Sequence, residues 1–164
     1  MRDFADRENL QAAGLGEVLP SLRLLVNDEA ALLGGRWDRI VLAGVSMGAA
    51  TAVHLLFNLD IPASTGGTLA TPMGFSCRCP FAGRDLAGMR NIFGFTWAPD
   101  HDHVIRPTPV LLEHCADDPL VLIESGRDLW ETLRGLVQRL SGMNTRVEDS
   151  GSIRLMAQMA QWTF

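Results

Sequence analysis

The chain has 164 residues, of which 47% are hydrophobic and 20% charged, and its formal net charge is −5. These values predict a single globular domain with its own core and exclude a disordered or collagen-like chain. The acidic balance, without a cluster of Lys or Arg, argues against a nucleic-acid partner. The three cysteines have no framework spacing and the charged start MRDFADREN is unlike a signal peptide, so we expect a cytoplasmic protein.

Helices and strands alternate along the predicted chain. The first helix carries an apolar stripe and stops at a Gly-Gly pair, and the strands are continuous apolar runs. Such strands are typical of a parallel sheet with helices on both faces, which predicts an α/β fold. In chain order we expect a helix over 16–33, a strand over 38–43, a helix over 47–57, a strand over 68–76 and a short helix over 83–91. A loop over 101–108, a strand over 109–115 and a helix over 123–140 follow.

The apolar stretch IVLAGVSMGAATAVHLLF, residues 40–57, is long enough to raise the question of a membrane span. Gly44 and Gly48 interrupt its middle, and Asp38 and Arg39 stand directly against its start. A buried strand followed by an Ala-rich helix fits this pattern better, so we predict no transmembrane segment.

Five residues in this stretch, Gly44-Val45-Ser46-Met47-Gly48, match the G-x-S-x-G pattern of a nucleophile elbow. A tight turn from strand to helix would force the serine into strained backbone geometry, for which glycines two positions away on either side leave room. The turn would expose the Ser46 hydroxyl above the sheet and aim the Met47 N–H at a developing oxyanion. The alternative is a simple glycine turn between a strand and a helix.

Two aspartates follow the predicted strand over 109–115, at the sheet edge where an acid can orient a catalytic imidazole. Asp117 and Asp118 stand before Pro119 in the turn sequence ADDPL. A nucleophile that precedes its acid along the chain is the order expected with such an elbow. The alternative is that both aspartates only form an Asx-Pro turn.

On these residues the chain resembles the phospholipase/carboxylesterase family of α/β-hydrolases, which includes the acyl-protein thioesterases. The matching stretches are RWDRIVLAGVSMGAATAVHLLF and TPVLLEHCADDPLV, with a further likeness at MGFSCRCPF. The resemblance implies a cofactor-free serine hydrolase of carboxylic esters or thioesters, whose substrate is an acyl ester or an S-acylated protein. It makes Ser46 the nucleophile, Asp118 the orienting acid and the Met47 N–H an oxyanion donor.

Two features of that family have no counterpart in this sequence. Family members begin with extra strands, one of which ends in a His-Gly loop that supplies a second oxyanion N–H. They also carry the catalytic His beyond the acid, whereas no His follows His114 here. We therefore expect a partial α/β-hydrolase domain over 1–148, truncated at both ends, an atypical tail over 149–164, and little or no turnover.

The four histidines offer few substitutes for the missing base. His54 lies eight residues beyond Ser46, roughly 12 Å along a helix, and we expect it to be a satisfied helix residue. His114, at the end of the acid-bearing strand, is the one candidate surrogate base. The DHDH sequence at 100–103 is typical of a solvated loop, so we predict no metal site there.

The missing parts also leave a second function open, that of a non-catalytic paralogue that binds an acyl chain or a partner protein. Without earlier strands, the apolar strand over 40–43 would present a bare parallel edge. Such an edge predicts aggregation or a homodimer that forms through it.

Overall fold

A computed structural model describes residues 8–138, 145–150 and 152–157, and beyond residue 136 it describes the backbone alone. Two short 3₁₀ helices, Trp37–Arg39 and Ala63–Thr65, accompany the main elements. In chain order the main elements are α1 (Glu8–Leu32), β1 (Val41–Val45), α2 (Met47–Asn58), β2 (Thr71–Phe75), α3 (Leu86–Asn91), β3 (Val110–Cys115), α4 (Ile123–Gln138), β4 (Thr145–Ser150) and β5 (Ser152–Ala157).

The strands form one sheet in the order β1-β2-β3-β5-β4. β1, β2 and β3 are parallel, with Ala43 opposite Met73 and Gly74 opposite Leu112. β5 then runs antiparallel to β3, and β4 antiparallel to β5. The α/β class is therefore confirmed, with three parallel strands that form one side of the sheet. The sheet of the described chain is mixed rather than wholly parallel.

The described helices lie on one face of the parallel strands, and the prediction of helices on both faces is wrong for this part of the chain. α2 packs on β1 and β2, and α4 packs on β3. Gly74 faces Ala49 of α2, while His114, on the same face of the sheet, faces Gly126 of α4. The opposite face leaves Val41 and Val45 exposed.

The core lies between this sheet face and α1, with α2 in the middle. The sheet covers one side of α2, and α1 and α3 cover others. This surrounding by other elements accounts for a helix that is apolar around nearly its whole circumference. Its buried residues run from Ala49 and Ala50 through Val53 to Asn58. This burial is what holds the start of α2, and therefore the turn before it, in place.

The first helix differs most from its prediction, since α1 begins at Glu8 rather than at 16 and, with 25 residues, is longer than α4 with 16. Gly14, Gly16 and Pro20 weaken the local helix signal. Tertiary contacts outweigh that weakness, because Leu15 and Leu19 are buried and the Glu8 carboxylate accepts a hydrogen bond from the Phe81 N–H at 2.9 Å.

The remaining boundaries agree with the sequence to within a few residues. The predicted helix end at 139–140 lies outside the described residues, and the predicted boundary between 148 and 149 lies inside β4. Within the described part of the chain, no helix combines the length and the apolar character that crossing a bilayer requires.

Candidate active site

The three parallel strands end at one edge of the sheet, and each is followed there by a hydroxyl or carboxyl side chain. Ser46 follows β1, Ser76 follows β2, and Asp118 lies in the turn after β3. The Ser46 N–H donates to the Phe75 carbonyl at 2.9 Å, and the Ser76 N–H donates to the Glu113 carbonyl, also at 2.9 Å. These bonds continue the ladder past the strand ends, so the three side chains stand on neighbouring strands.

Ser46 has the strained backbone that the elbow pattern predicts. Its φ is 53° and its ψ is −119°, a combination that L-residues avoid and glycine adopts freely. The Ser46 carbonyl accepts the first bond of α2, from Ala50 at 3.1 Å, and the side chain forms no cap to the helix. The hydroxyl of this exposed residue is therefore not used by its own helix.

The two glycines of the motif have different roles. A Cβ at Gly44 would lie 2.3 Å from the Gly48 carbonyl carbon and 2.4 Å from the Ala49 nitrogen, so no side chain fits there. A Cβ at Gly48 would meet nothing within 4 Å. Only the first glycine leaves room for the turn, and the expectation that both do is wrong for this part of the chain.

Met47 opens α2, and its N–H is one of the first four amide groups that find no acceptor within a helix. These groups carry the positive end of the helix dipole. The Met47 N–H can therefore stabilise a negative oxygen that develops next to Ser46.

Asp118 forms an Asx turn and is at the same time an ionised acid. Its Oδ1 accepts hydrogen bonds from the Leu120 N–H at 2.9 Å and the Val121 N–H at 3.0 Å. The Val121 and Leu120 donors, followed by the Ser76 hydroxyl, hold the pKa of the Asp118 carboxyl below its usual range. The predicted Asx-Pro turn is therefore present, and it leaves a charged carboxylate at the site edge. Asp117, its neighbour, is exposed.

Ser76 is a site residue that the sequence analysis did not single out. It has a left-handed φ of 45°, and its hydroxyl hydrogen-bonds the Asp118 carboxylate. The available signal was its place directly after a predicted strand, within the stretch MGFSCRCPF.

His114 is held by α4 and the loop before it. Its Nε2 lies 2.7 Å from the Val121 carbonyl. Because a carbonyl only accepts, Nε2 donates this bond. Nδ1 faces Gly126 so closely that a Cβ there would approach it to 2.6 Å. Among the described residues no hydrogen bond joins His114 to Ser46.

His54 is buried in an aromatic cage and only half satisfied. Its Nε2–H donates to the Pro80 carbonyl at 3.2 Å, while Nδ1 is buried without a hydrogen-bond partner in the described part of the chain. Phe57, Phe81 and Phe93 meet the ring edge-on. Burial lowers the pKa of His54 to about 4, so the ring is neutral at physiological pH.

The other candidate ligands do not form a metal site in the described residues. The His101 and His103 rings stack at 4.4 Å, and the His101 Nε2 lies 3.6 Å from an Asp60 carboxylate oxygen. Cys77 and Cys79 are buried thiols, and burial raises the pKa of Cys77 to about 12 and that of Cys79 further. Neither thiol is therefore a reactive nucleophile.

Exposed apolar side chains border the candidate site. Val45 and Met47 flank the serine, and Leu120, which is 80% exposed, and Leu122 follow the acid. A separate cavity of about 1250 Å³ lies between residues 82–106 and α4. Neither Ser46 nor Asp118 lines that cavity. The candidate site is thus an open, apolar-rimmed edge of the sheet.

The chain matches no protein-family model, and no curated protein shows significant similarity to its sequence.

Proposed function

We propose that the chain is a partial α/β-hydrolase whose reaction is the cleavage of carboxylic esters or thioesters, with Ser46 as the nucleophile. The observation that carries the proposal is the backbone of Ser46. A residue at φ 53° and ψ −119° is kept under strain only where the surrounding structure enforces it, and such strain clusters at functional sites. The close packing of Gly44 on the start of α2 enforces it here.

The chemistry follows from the residues around that turn. The Ser46 Oγ attacks the acyl carbon, its proton passes to solvent, and the alcohol or thiol leaves, so that an acyl-Ser46 ester forms. The Met47 N–H stabilises the oxyanion of the tetrahedral intermediate. Water then hydrolyses the acyl-serine ester and releases the acid.

The described site has no histidine positioned as a general base for Ser46. His54 is caged, His101 and His103 stack on each other, and His114 donates to Val121. Loss of the base lowers turnover in a serine triad by about 10⁶-fold, on the order of 8 kcal/mol of transition-state stabilisation. We therefore expect an ester turnover below about 1 s⁻¹ for this chain.

The proposal predicts slow, site-specific acylation. We expect incubation with an activated ester, p-nitrophenyl butyrate, to leave a butyryl group on Ser46, because deacylation without a base is slow. Peptide mass spectrometry measures the modified site, and added imidazole should accelerate both acylation and release. Ser46→Ala should abolish this acylation, whereas Ser21→Ala, at an exposed serine within α1, should keep it.

One result would contradict the proposed nucleophile, and another would contradict the expected low turnover. Acylation spread evenly over several serines would remove Ser46 as a special nucleophile. A turnover above about 1 s⁻¹ that disappears in Ser46→Ala would keep the nucleophile but refute the expected inactivity.

One second function is the non-catalytic binding of an acyl chain at the same edge. It is favoured because each of the four histidines is engaged elsewhere and none is hydrogen-bonded to Ser46 in the described chain. The exposed Val45, Met47, Leu120 and Leu122 provide apolar surface for it. Saturable binding of a long-chain fatty acid, without any acylation of Ser46, would support this function over hydrolysis.

A further inference from the structure

The outer edge of β1 carries unpaired backbone groups in the described part of the chain, where its one neighbour is β2. The Ser46 N–H and the Ile40 carbonyl both bond toward β2, at 2.9 and 3.0 Å. Backbone groups of alternate residues point to the same side of a strand. Val41, Ala43 and Val45 therefore direct three N–H and three C=O groups away from the sheet.

We propose that a second copy of this chain covers this edge, with the two β1 strands antiparallel and Ala43 on the two-fold axis. The register follows from the backbone. Centring on Ala43 pairs Val41 with Val45 of the second copy, and the reverse, so all six outward groups of each strand are bonded. A symmetric shift by two residues would leave some of them unpaired.

The side chains of the edge match themselves under this symmetry. Val41 and Val45, which are 49% and 65% exposed, would face each other across the pair, with the small Ala43 at the axis. Asp38 and Arg39 stand only at the start of the strand. The antiparallel arrangement keeps each of them far from its own copy and next to the start of the partner's α2, which has no acidic side chain in its first turn and whose dipole favours Asp38 over Arg39. A parallel arrangement would instead bring like charges together.

The helices leave room for this pairing. Each α2 lies over β1 and β2, so its axis is set back from the outer edge of β1. With the two β1 strands about 4.8 Å apart, the two α2 axes would lie at about 8–10 Å, which is the usual spacing of packed helices. Gly48, Thr51 and Ala52, on the accessible part of the first two turns of α2, are all small. The result is one continuous sheet with all described helices on one face.

A contact of this size is at the small end of specific interfaces, so we expect a roughly micromolar Kd. Sedimentation velocity of the full chain over about two decades of concentration measures it. Ala43→Pro removes an outward N–H but none of the bonds to β2, and should raise the Kd by about tenfold or more. Circular dichroism of this variant checks that its fold is kept.

A pair of double variants tests the register. V41K/V45E places Lys opposite Glu of the second copy twice, and should dimerise like the wild type. V41K/V45K, with the same number of changed residues, places Lys opposite Lys and should be monomeric. Positions 41 and 45 are too far apart to interact within one strand. The two variants should therefore fold equally well, and a difference between them in dimerisation would come from contacts between the two copies.

A wild-type chain that stays monomeric throughout would overturn the proposal. If, in that case, hydrogen exchange shows protected amides at Val41 and Val45, another segment of the same chain covers the edge. A dimer that tolerates Ala43→Pro and both double variants would place the interface elsewhere and overturn it equally.

Discussion

At the scale of residues, Ser46 holds a strained backbone conformation. Its φ of 53° and ψ of −119° cost on the order of 1–3 kcal/mol for any residue with a Cβ. The strain is maintained because α2 is buried and Gly44 lets β1 approach its first turn. The Ser46 side chain makes no capping hydrogen bond to α2 in this conformation.

Ser46→Gly should therefore stabilise the chain relative to Ser46→Ala. Relief of about 1–3 kcal/mol of strain outweighs the roughly 0.5–1 kcal/mol that glycine loses through unfolded-state entropy, so we expect a net gain of about 1 kcal/mol. Urea unfolding measures the difference. At Ser125, which is helical, the order should reverse and Gly should be the less stable variant. Ala being the more stable variant at position 46 would contradict the strain argument.

The two motif glycines give a matched test of packing. Gly44→Ala should destabilise the fold by about 3 kcal/mol or more, because its Cβ would collide with backbone atoms that cannot move independently. Gly48→Ala should stabilise it by up to about 1 kcal/mol, because the position is helical and its Cβ meets open space. Thermal unfolding of the two variants compares them directly. Equal destabilisation by both would show that the strand and helix pack differently.

At the scale of elements, α2 buries the titratable ring of His54 among apolar side chains. His54 takes up a proton near pH 6.5 in the unfolded chain but only near pH 4 in the fold. Between these values the unfolded state binds more protons, so stability falls as the pH drops from about 6.5 to about 4 and then levels off. The full effect is roughly 3 kcal/mol.

His54→Phe should remove this part of the acid sensitivity. At neutral pH we expect its stability within about 1 kcal/mol of the wild type, since the change deletes both the bond to Pro80 and a bare buried nitrogen. Denaturant unfolding between pH 7 and pH 4 measures the difference between the two curves. The exposed His103, changed to Gln, serves as the control and should follow the wild type. Parallel curves for His54→Phe and the wild type would refute the buried-ring account.

The elements themselves were largely predictable because their signals are local. The runs of Val and Leu in β1 and β3 and the Gly-Ser-Gly spacing before α2 lie within a few residues of the structures they produce. The start of α1 was not predictable in this way, since buried Leu15 and the bond from Phe81 to Glu8 hold it. These contacts join residues far apart in the chain.

At the scale of the whole molecule, one-sided coverage of the sheet is the dominant feature of the described chain. It leaves Val41 and Val45 exposed on the open face. Separately, β1 lies at the edge of the sheet, where β2 is its one neighbour in the described chain. An apolar edge of this kind is a template for further strand pairing. The same edge ends at Ser46, so pairing between two copies would also set the surroundings of the candidate nucleophile.

The sequence by itself determined the α/β class, the tight turn at Ser46 and the turn at Asp118, because each depends on local spacing and on residue types that restrict the backbone. It also named Ser46 and Asp118 as site candidates from their order and position. Only the tertiary structure decided which face of the sheet is covered, that Ser76 bonds the acid, and that His54 and His114 are engaged elsewhere. Those outcomes depend on contacts between distant residues, which no local pattern encodes.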